Sequence, residues 1–145
     1  MSNDSGKSLY VIVAGCGRLG SYIANRLSEA GHSVVIIDPE ENAFSRLSDE
    51  FSGFRVEGDA TEFAVLQEAK VDKADLLIAA TREDNVNLLV AQVARRIFEV
   101  PSVIARVLEP SRTEIYSSLD IKTVCPTLIA ADTMLVSAGL FREEK

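Results

Sequence analysis

Apolar residues fall along this chain in short, β-branched runs that alternate with longer helix-compatible stretches. The runs are LYVIVAG (9–15), SVVIID (33–38), FRVEG (54–58), DLLIAAT (75–81), SVIARV (102–107) and KTVCP (122–126). Most are apolar on both alternating faces, as strands must be when helices cover the sheet from either side. The stretches between them predict helices over 19–30, 40–50, 62–69, 85–99, 111–118 and 127–140. Strand followed by helix, repeated along the chain, is the pattern of successive βα units.

The punctuation agrees. Gly31, in EAGHS, suits the left-handed residue that closes a helix, and Pro39 follows the second strand where a new element begins. Pro101 and Pro126 also sit at element boundaries, where a missing amide donor costs little. Right-handed crossovers then give the order 3-2-1-4-5-6, an α/β fold with a Rossmann-type doubly wound parallel sheet of six strands. Its ligand crevice is expected where the order reverses, beside strands 1 and 4, which brings GCGRLG and AATRED to one mouth.

Length and charge narrow the function. A chain of 145 residues suits one domain, here expected over 9–145 after a disordered tail at 1–8. The net charge of -7 and the lack of a basic patch argue against a nucleic-acid surface. No stretch has the apolar length of a membrane span, and the polar MSNDSGKS lacks the core of a signal peptide, so a cytoplasmic protein is expected. The two cysteines, Cys16 and Cys125, lie far apart in the chain and read as small packing residues.

GCGRLG places Gly15, Gly17 and Gly20 in the GxGxxG spacing between a strand and a helix. The first allows the tight turn, the second a close approach of backbone to pyrophosphate, and the third helix-on-strand packing. Asp38, at the end of the next strand, offers a carboxylate to ribose hydroxyls and repels a 2'-phosphate. NAD(H) or an adenine nucleotide is therefore favoured over NADP(H). Arg18 either reaches a phosphate oxygen or stands solvated on the first helical turn. In EGDATE, Asp59 and Thr61 are good cap residues that also lie at the crevice end of the sheet, and Thr81 and Asp84 of TREDNVN share that ambiguity.

GCGRLG, Asp38, GDAT, TREDNVN and ARVLEP occur together in an order and spacing that resembles the TrkA N-terminal domain, also called the KTN or RCK N-terminal domain. The resemblance runs from about Leu9 to about Leu140. It implies a regulatory Rossmann domain of potassium channels and transporters that binds NAD(H), ATP, ADP or AMP and assembles as dimers or larger rings. By position, it implies that Gly15, Gly17, Arg18, Leu19 and Gly20 face phosphates, Asp38 the ribose, Asp59 and Ala60 the adenine, and Thr81 and Arg106 the distal part of the ligand. The implied partners are a second copy of the chain, a membrane potassium channel or transporter subunit, and a longer RCK-type subunit, with the protein held at the inner face of the membrane through them.

Two features depart from the family pattern. The chain stops at FREEK, where such proteins often continue into a further regulatory domain, so no C-terminal RCK domain is expected. Glu109, in LEPSR, does not align securely with the acidic residue that helps hold an interfacial cation in the family, and no metal ligand is assigned.

A catalytic role is not expected. His32, the single histidine, lies in the turn before strand 2, at the end of the sheet opposite the crevice, and no nucleophile-and-base set stands out. A small NAD-dependent oxidoreductase, or the cofactor half of one, is the competing reading, and a nucleotide-free interaction module is a third. The last helix is apolar on more than one side: Leu128, Ala131, Leu135 and Ala138 form one row, with Ile129, Val136 and Leu140 around the cylinder. One face is expected on the sheet and another on a partner subunit, unless the domain buries the helix whole. The helix over 85–99 is a second candidate interface.

Overall fold

The computed structural model describes residues 6–142. Of the tail expected at 1–8, residues 1–5 lie outside the described residues; residues 6–8 have no regular secondary structure, and Ser8 Oγ donates to the Gly31 carbonyl at 3.0 Å.

Six parallel strands form one sheet: β1 (Tyr10–Ala14), β2 (Ser33–Asp38), β3 (Phe54–Glu57), β4 (Leu76–Ala79), β5 (Ser102–Arg106) and β6 (Lys122–Val124). Their order is β3-β2-β1-β4-β5-β6, the doubly wound order that right-handed crossovers dictate. The helices are α1 (Arg18–Glu29), α2 (Phe63–Glu68), α3 (Asp84–Arg96), α4 (Thr113–Ser117) and α5 (Pro126–Ser137). β1 lies between β2 and β4, with Ile12 opposite Val35 on one side and Leu77 on the other.

Alternating residues of the central strands feed two cores. Ile12, Ala14, Val35, Ile37 and Leu77 face α3 and the α2 region, where they meet Leu66, Val90 and Ala94. Val11, Val13, Val34 and Ile36 face the other way, onto Ala24 of α1 and onto Phe44 and Leu47. Fully burying one such side chain contributes about 1.5–3 kcal/mol, so the centre of the sheet is the most strongly held part of the molecule.

α1 ends in a Schellman arrangement. Gly31, at φ +91°, donates to the Ser28 carbonyl at 3.0 Å, and the His32 amide donates to the Leu27 carbonyl at 3.0 Å. His32 Nδ1 then accepts from the Leu9 amide at 3.0 Å, which fixes the start of β1. His32 is thus a turn residue at the amino end of the sheet.

Two expectations need correction. The helix expected over 40–50 is only a 3-10 turn, Glu41–Arg46. Phe44 and Leu47 are buried and supply the helix-like spacing, but polar side chains take the backbone groups that a helix would use. Asn25 Oδ1 accepts from the Ser48 amide at 2.9 Å, Ser48 Oγ from the Glu50 amide at 3.0 Å, and Ser45 Oγ donates to the Asn42 carbonyl at 2.8 Å.

The second concerns α5, which packs neither face on the sheet: none of its residues is buried, and Met134 is 71% exposed. Its apolar residues stand on more than one side, with Asp132 and Thr133 among them, so the sequence singles out no one face for the sheet. Among the described residues no helix is long and apolar enough to cross a membrane.

Candidate functional site

The three glycines after β1 serve three different physical ends. Gly15 turns the chain at φ +109°, and a Cβ there would lie 2.9 Å from the Ala80 backbone at the end of β4. At Gly20 a Cβ would lie 1.8 Å from the Gly15 carbonyl oxygen, so this glycine lets α1 close onto the turn. Gly17 differs from both. Its φ is -81°, open to any residue, and an added Cβ would meet nothing within 4 Å. Neither conformation nor packing within the chain calls for a glycine at 17.

Gly17 is also the N-cap of α1 and supplies no side-chain acceptor. The amides of the first helical turn, with the positive end of the helix dipole behind them, are therefore available to an anion.

Asp38 holds the opposite wall. Its Oδ2 accepts from the Cys16 amide at 2.8 Å and its Oδ1 from the Glu40 amide at 2.8 Å, so the end of β2 is tied to the glycine turn. The Cys16 thiol donates to the Ala43 carbonyl at 3.3 Å, which seats the 41–46 turn against the same loop. Burial first, and the neighbouring Asp38 carboxylate second, push that thiol up to about 11, so it stays protonated near neutrality. Cys16 is a packing residue.

Asp59 Oδ1 accepts from the amide and hydroxyl of Thr61 at 2.9 and 2.7 Å. Those bonds lower its carboxyl from the ordinary value, against a weaker opposing effect of burial. Its position still borders the opening, with Ala60 buried beside it.

Between these walls lies a crevice of about 1180 Å³ at the carboxyl ends of the strands. Gly15, Gly17, Arg18 and Leu19 line it from the turn, Asp38 from β2, Asp59 and Ala60 from the loop after β3, and Thr81 and Arg106 from the ends of β4 and β5. Gly20 is not among the lining residues; it packs behind them.

The crevice also takes in Asn42, Arg46 and Arg82, which motif reading did not single out. The one sequence signal for them is their place in loops that follow strand ends, where doubly wound sheets bind ligands. Four arginines line it against four carboxylates, in a chain whose net charge is -7. The guanidinium groups of Arg18, Arg46 and Arg82 make no ion pair among the described residues.

The far wall is built from α3. Asn87 is fully buried; its Oδ1 accepts from the Thr81 amide and hydroxyl at 2.8 and 2.7 Å, while its Nδ2 donates to the carbonyls of Thr81 and Arg106 at 3.1 and 3.0 Å. Asp84, also buried, accepts from the Leu108 and Glu109 amides at 2.6 and 3.1 Å and pairs with Arg112 at 3.3 Å. Asp84 thus caps a neighbouring segment rather than its own helix. A sequence signal for Asn87 existed: it stands in the buried row Asn87, Val90, Ala91, Ala94, where an amide needs a specific reason. Glu109 accepts from the Ser111 amide at 3.4 Å and caps the short turn Pro110–Arg112.

The model of the TrkA-N domain matches residues 11–127. The chain belongs to the TrkA-N domain family. Its relatives include the "Trk system potassium uptake protein TrkA" of Streptomyces coelicolor, 39% identical over 88% of this chain and 57% of that protein. The chain spans about half the length of the curated relatives it matches.

The TrkA-N domain of inner membrane protein ybaL from Escherichia coli superposes with a TM-score of 0.78 at 21% identity, over 90% of this chain and 96% of that one. The Shewanella denitrificans Kef CTD in its AMP-bound form gives 0.77 at 24% identity, over 89% and 79%. The GsuK channel bound to NAD gives 0.78 at 21% identity, over 92% of this chain and 24% of that one. At these identities the likeness is one of fold.

Proposed function

We infer that this TrkA-N domain binds an adenosine nucleotide, NAD(H) or one of ATP, ADP and AMP, and regulates a Trk-type potassium uptake system instead of catalysing a reaction. The observation that carries the reading is Gly17, whose missing side chain serves nothing within the chain and opens the floor of the crevice in front of the free amides of α1. The guanidinium groups of Arg18, Arg46 and Arg82, which make no ion pair among the described residues, suit a phosphorylated guest. Asp38, oriented by two amides, keeps lone pairs for ribose hydroxyls and opposes a 2'-phosphate, which argues against NADP.

Binding without chemistry fits the same residues. The Asp38 and Asp59 carboxylates accept hydrogen bonds that orient them within the chain, and the Cys16 thiol is held in its unreactive protonated form. The Kef CTD of the same fold is AMP-bound and the GsuK channel is bound to NAD, and the TrkA relatives are potassium uptake proteins. α5, apolar on more than one side and largely exposed, suits burial in a homodimer or larger assembly that sits with a membrane channel or transporter subunit, and with a longer RCK-type subunit, at the cytoplasmic face.

Calorimetry and thermal shift with NADH, NAD, ATP, ADP and AMP test the reading. A ligand present at a hundred times its Kd stabilises by about 2.7 kcal/mol, a shift of several degrees in a domain of this size. No response to any of the five, together with a monomeric mass, would contradict it. Substrate-dependent NADH turnover lost in Asp38→Ala would establish the oxidoreductase reading in its place.

A further inference from the structure

The crevice extends from the end of β2 to the end of β5. Asp38 ends β2 and Arg106 ends β5, three strand positions apart in the sheet, which is roughly 14 Å at the usual strand spacing. Arg106 Nε is, among the described residues, the buried side-chain nitrogen left without a hydrogen-bond partner. Its Nη1 reaches only the Thr81 carbonyl, at 3.4 Å. A guanidinium offers five donors, so this one is under-satisfied, and Arg106 is among the residues that line the crevice.

What holds Arg106 in that place is α3. Asn87 Nδ2 grips the Arg106 carbonyl, and its Oδ1 grips Thr81, the residue beneath the guanidinium. Two residues further on, Asp84 receives the amides of Leu108 and Glu109. Both anchors are buried, so the backbone from the Arg106 carbonyl to Glu109 is fixed by side chains that do not line the crevice.

We propose that Asn87 and Asp84 are positioning residues that aim Arg106 at the part of a bound nucleotide lying beyond its first phosphate, and so set the preference for long ligands over AMP. The proposal rests on the nucleotide-binding reading of the crevice. Under it, Arg106 supplies affinity that only a polyphosphate tail or the second half of a dinucleotide collects.

The experiment is calorimetry of AMP, ATP and NADH with the wild-type chain and with Arg106→Gln, Asn87→Ala and Asp84→Asn, each checked for folding by thermal melting. The wild type should bind ATP or NADH at least about tenfold more tightly than AMP, the scale of one charge-assisted hydrogen bond. Arg106→Gln should bring that ratio close to one while AMP affinity stays within about twofold, and Asn87→Ala and Asp84→Asn should reproduce the same selective loss. If Asn87→Ala does not fold, Asp84→Asn carries the comparison with Arg106→Gln.

Equal weakening of AMP and the longer ligands in the α3 variants would reduce Asn87 and Asp84 to structural roles and overturn the proposal, as would unchanged ratios in them when Arg106→Gln changes its own. A wild type that binds all three alike would overturn it and leave nucleotide binding standing. A wild type that binds none would overturn the nucleotide reading itself, and the proposal with it.

Discussion

Asp38 and Cys16 are joined by a 2.8 Å hydrogen bond, in which an amide of the glycine turn donates to the carboxylate that ends β2. The residue proposed to read the ribose therefore also shapes the loop proposed to hold the phosphates. Replacing Asp38 acts on both. Asp38→Ala leaves the Cys16 and Glu40 amides without their acceptor and should cost about 1–3 kcal/mol in urea denaturation. It should also abolish measurable nucleotide binding under conditions where the protein remains folded. Asp38→Asn, which keeps one acceptor oxygen, should recover part of the stability and little of the affinity.

Cys16 offers a test of the loop's burial. Its folded-state value, pushed up to about 11, lies above the ordinary 9.0, so folding favours the neutral thiol. The associated stability is fully present below the ordinary value and is lost as pH rises toward and through about 11. Native protein at pH 8 should leave Cys16 unmodified by iodoacetamide, with labelling read by mass spectrometry appearing only on unfolding. Cys16→Ala should flatten the loss of stability between pH 9 and 11.

α5 buries none of its residues, so polar substitutions on it should leave the melting temperature of an isolated subunit almost unchanged. Ile129→Glu with Met134→Glu should nonetheless convert the assembly to monomers in sedimentation experiments, because both side chains are more than half exposed and apolar. An oligomer that survives both changes would place the interface elsewhere, with α3 the next surface to examine.

Most of the fold was legible because the central strands are apolar on both faces. Runs such as Val11–Val13 and Val34–Ile37 read as covered strands wherever their helices lie, and handedness then leaves few topologies. The stretch after Pro39 misled because Phe44 and Leu47 keep a helical spacing while Asn25, outside the segment, supplies the hydrogen bonds that replace a helix. That competition is tertiary and leaves no trace in local pattern.

The crevice was legible at its motif residues, which strand ends gather by construction, and less so at its arginines. Arg46 belongs to no motif, and Arg82 lies inside TREDNVN without a spacing rule that assigns it a role. Asn87 and Asp84 were visible as residues of a helix start but not as clamps, since their partners lie 19 to 28 residues further along the chain.

Gly17 and Gly20 separate a glycine kept open for a ligand from one required by packing. Gly20→Ala would drive a Cβ to 1.8 Å from the Gly15 carbonyl oxygen and should destabilise the fold by several kcal/mol, on the order of the larger core substitutions. Gly17→Ala meets no atom of the chain and should stay within about 1 kcal/mol of the wild type, the scale of an N-cap change. The decisive measurement is therefore calorimetric titration of AMP and NADH into wild type and Gly17→Ala at matched folding. Affinity lower by at least about tenfold in the variant, equivalent to 1.4 kcal/mol or more, is the result expected if a phosphate lies over Gly17. Equal affinity in the two proteins would contradict it.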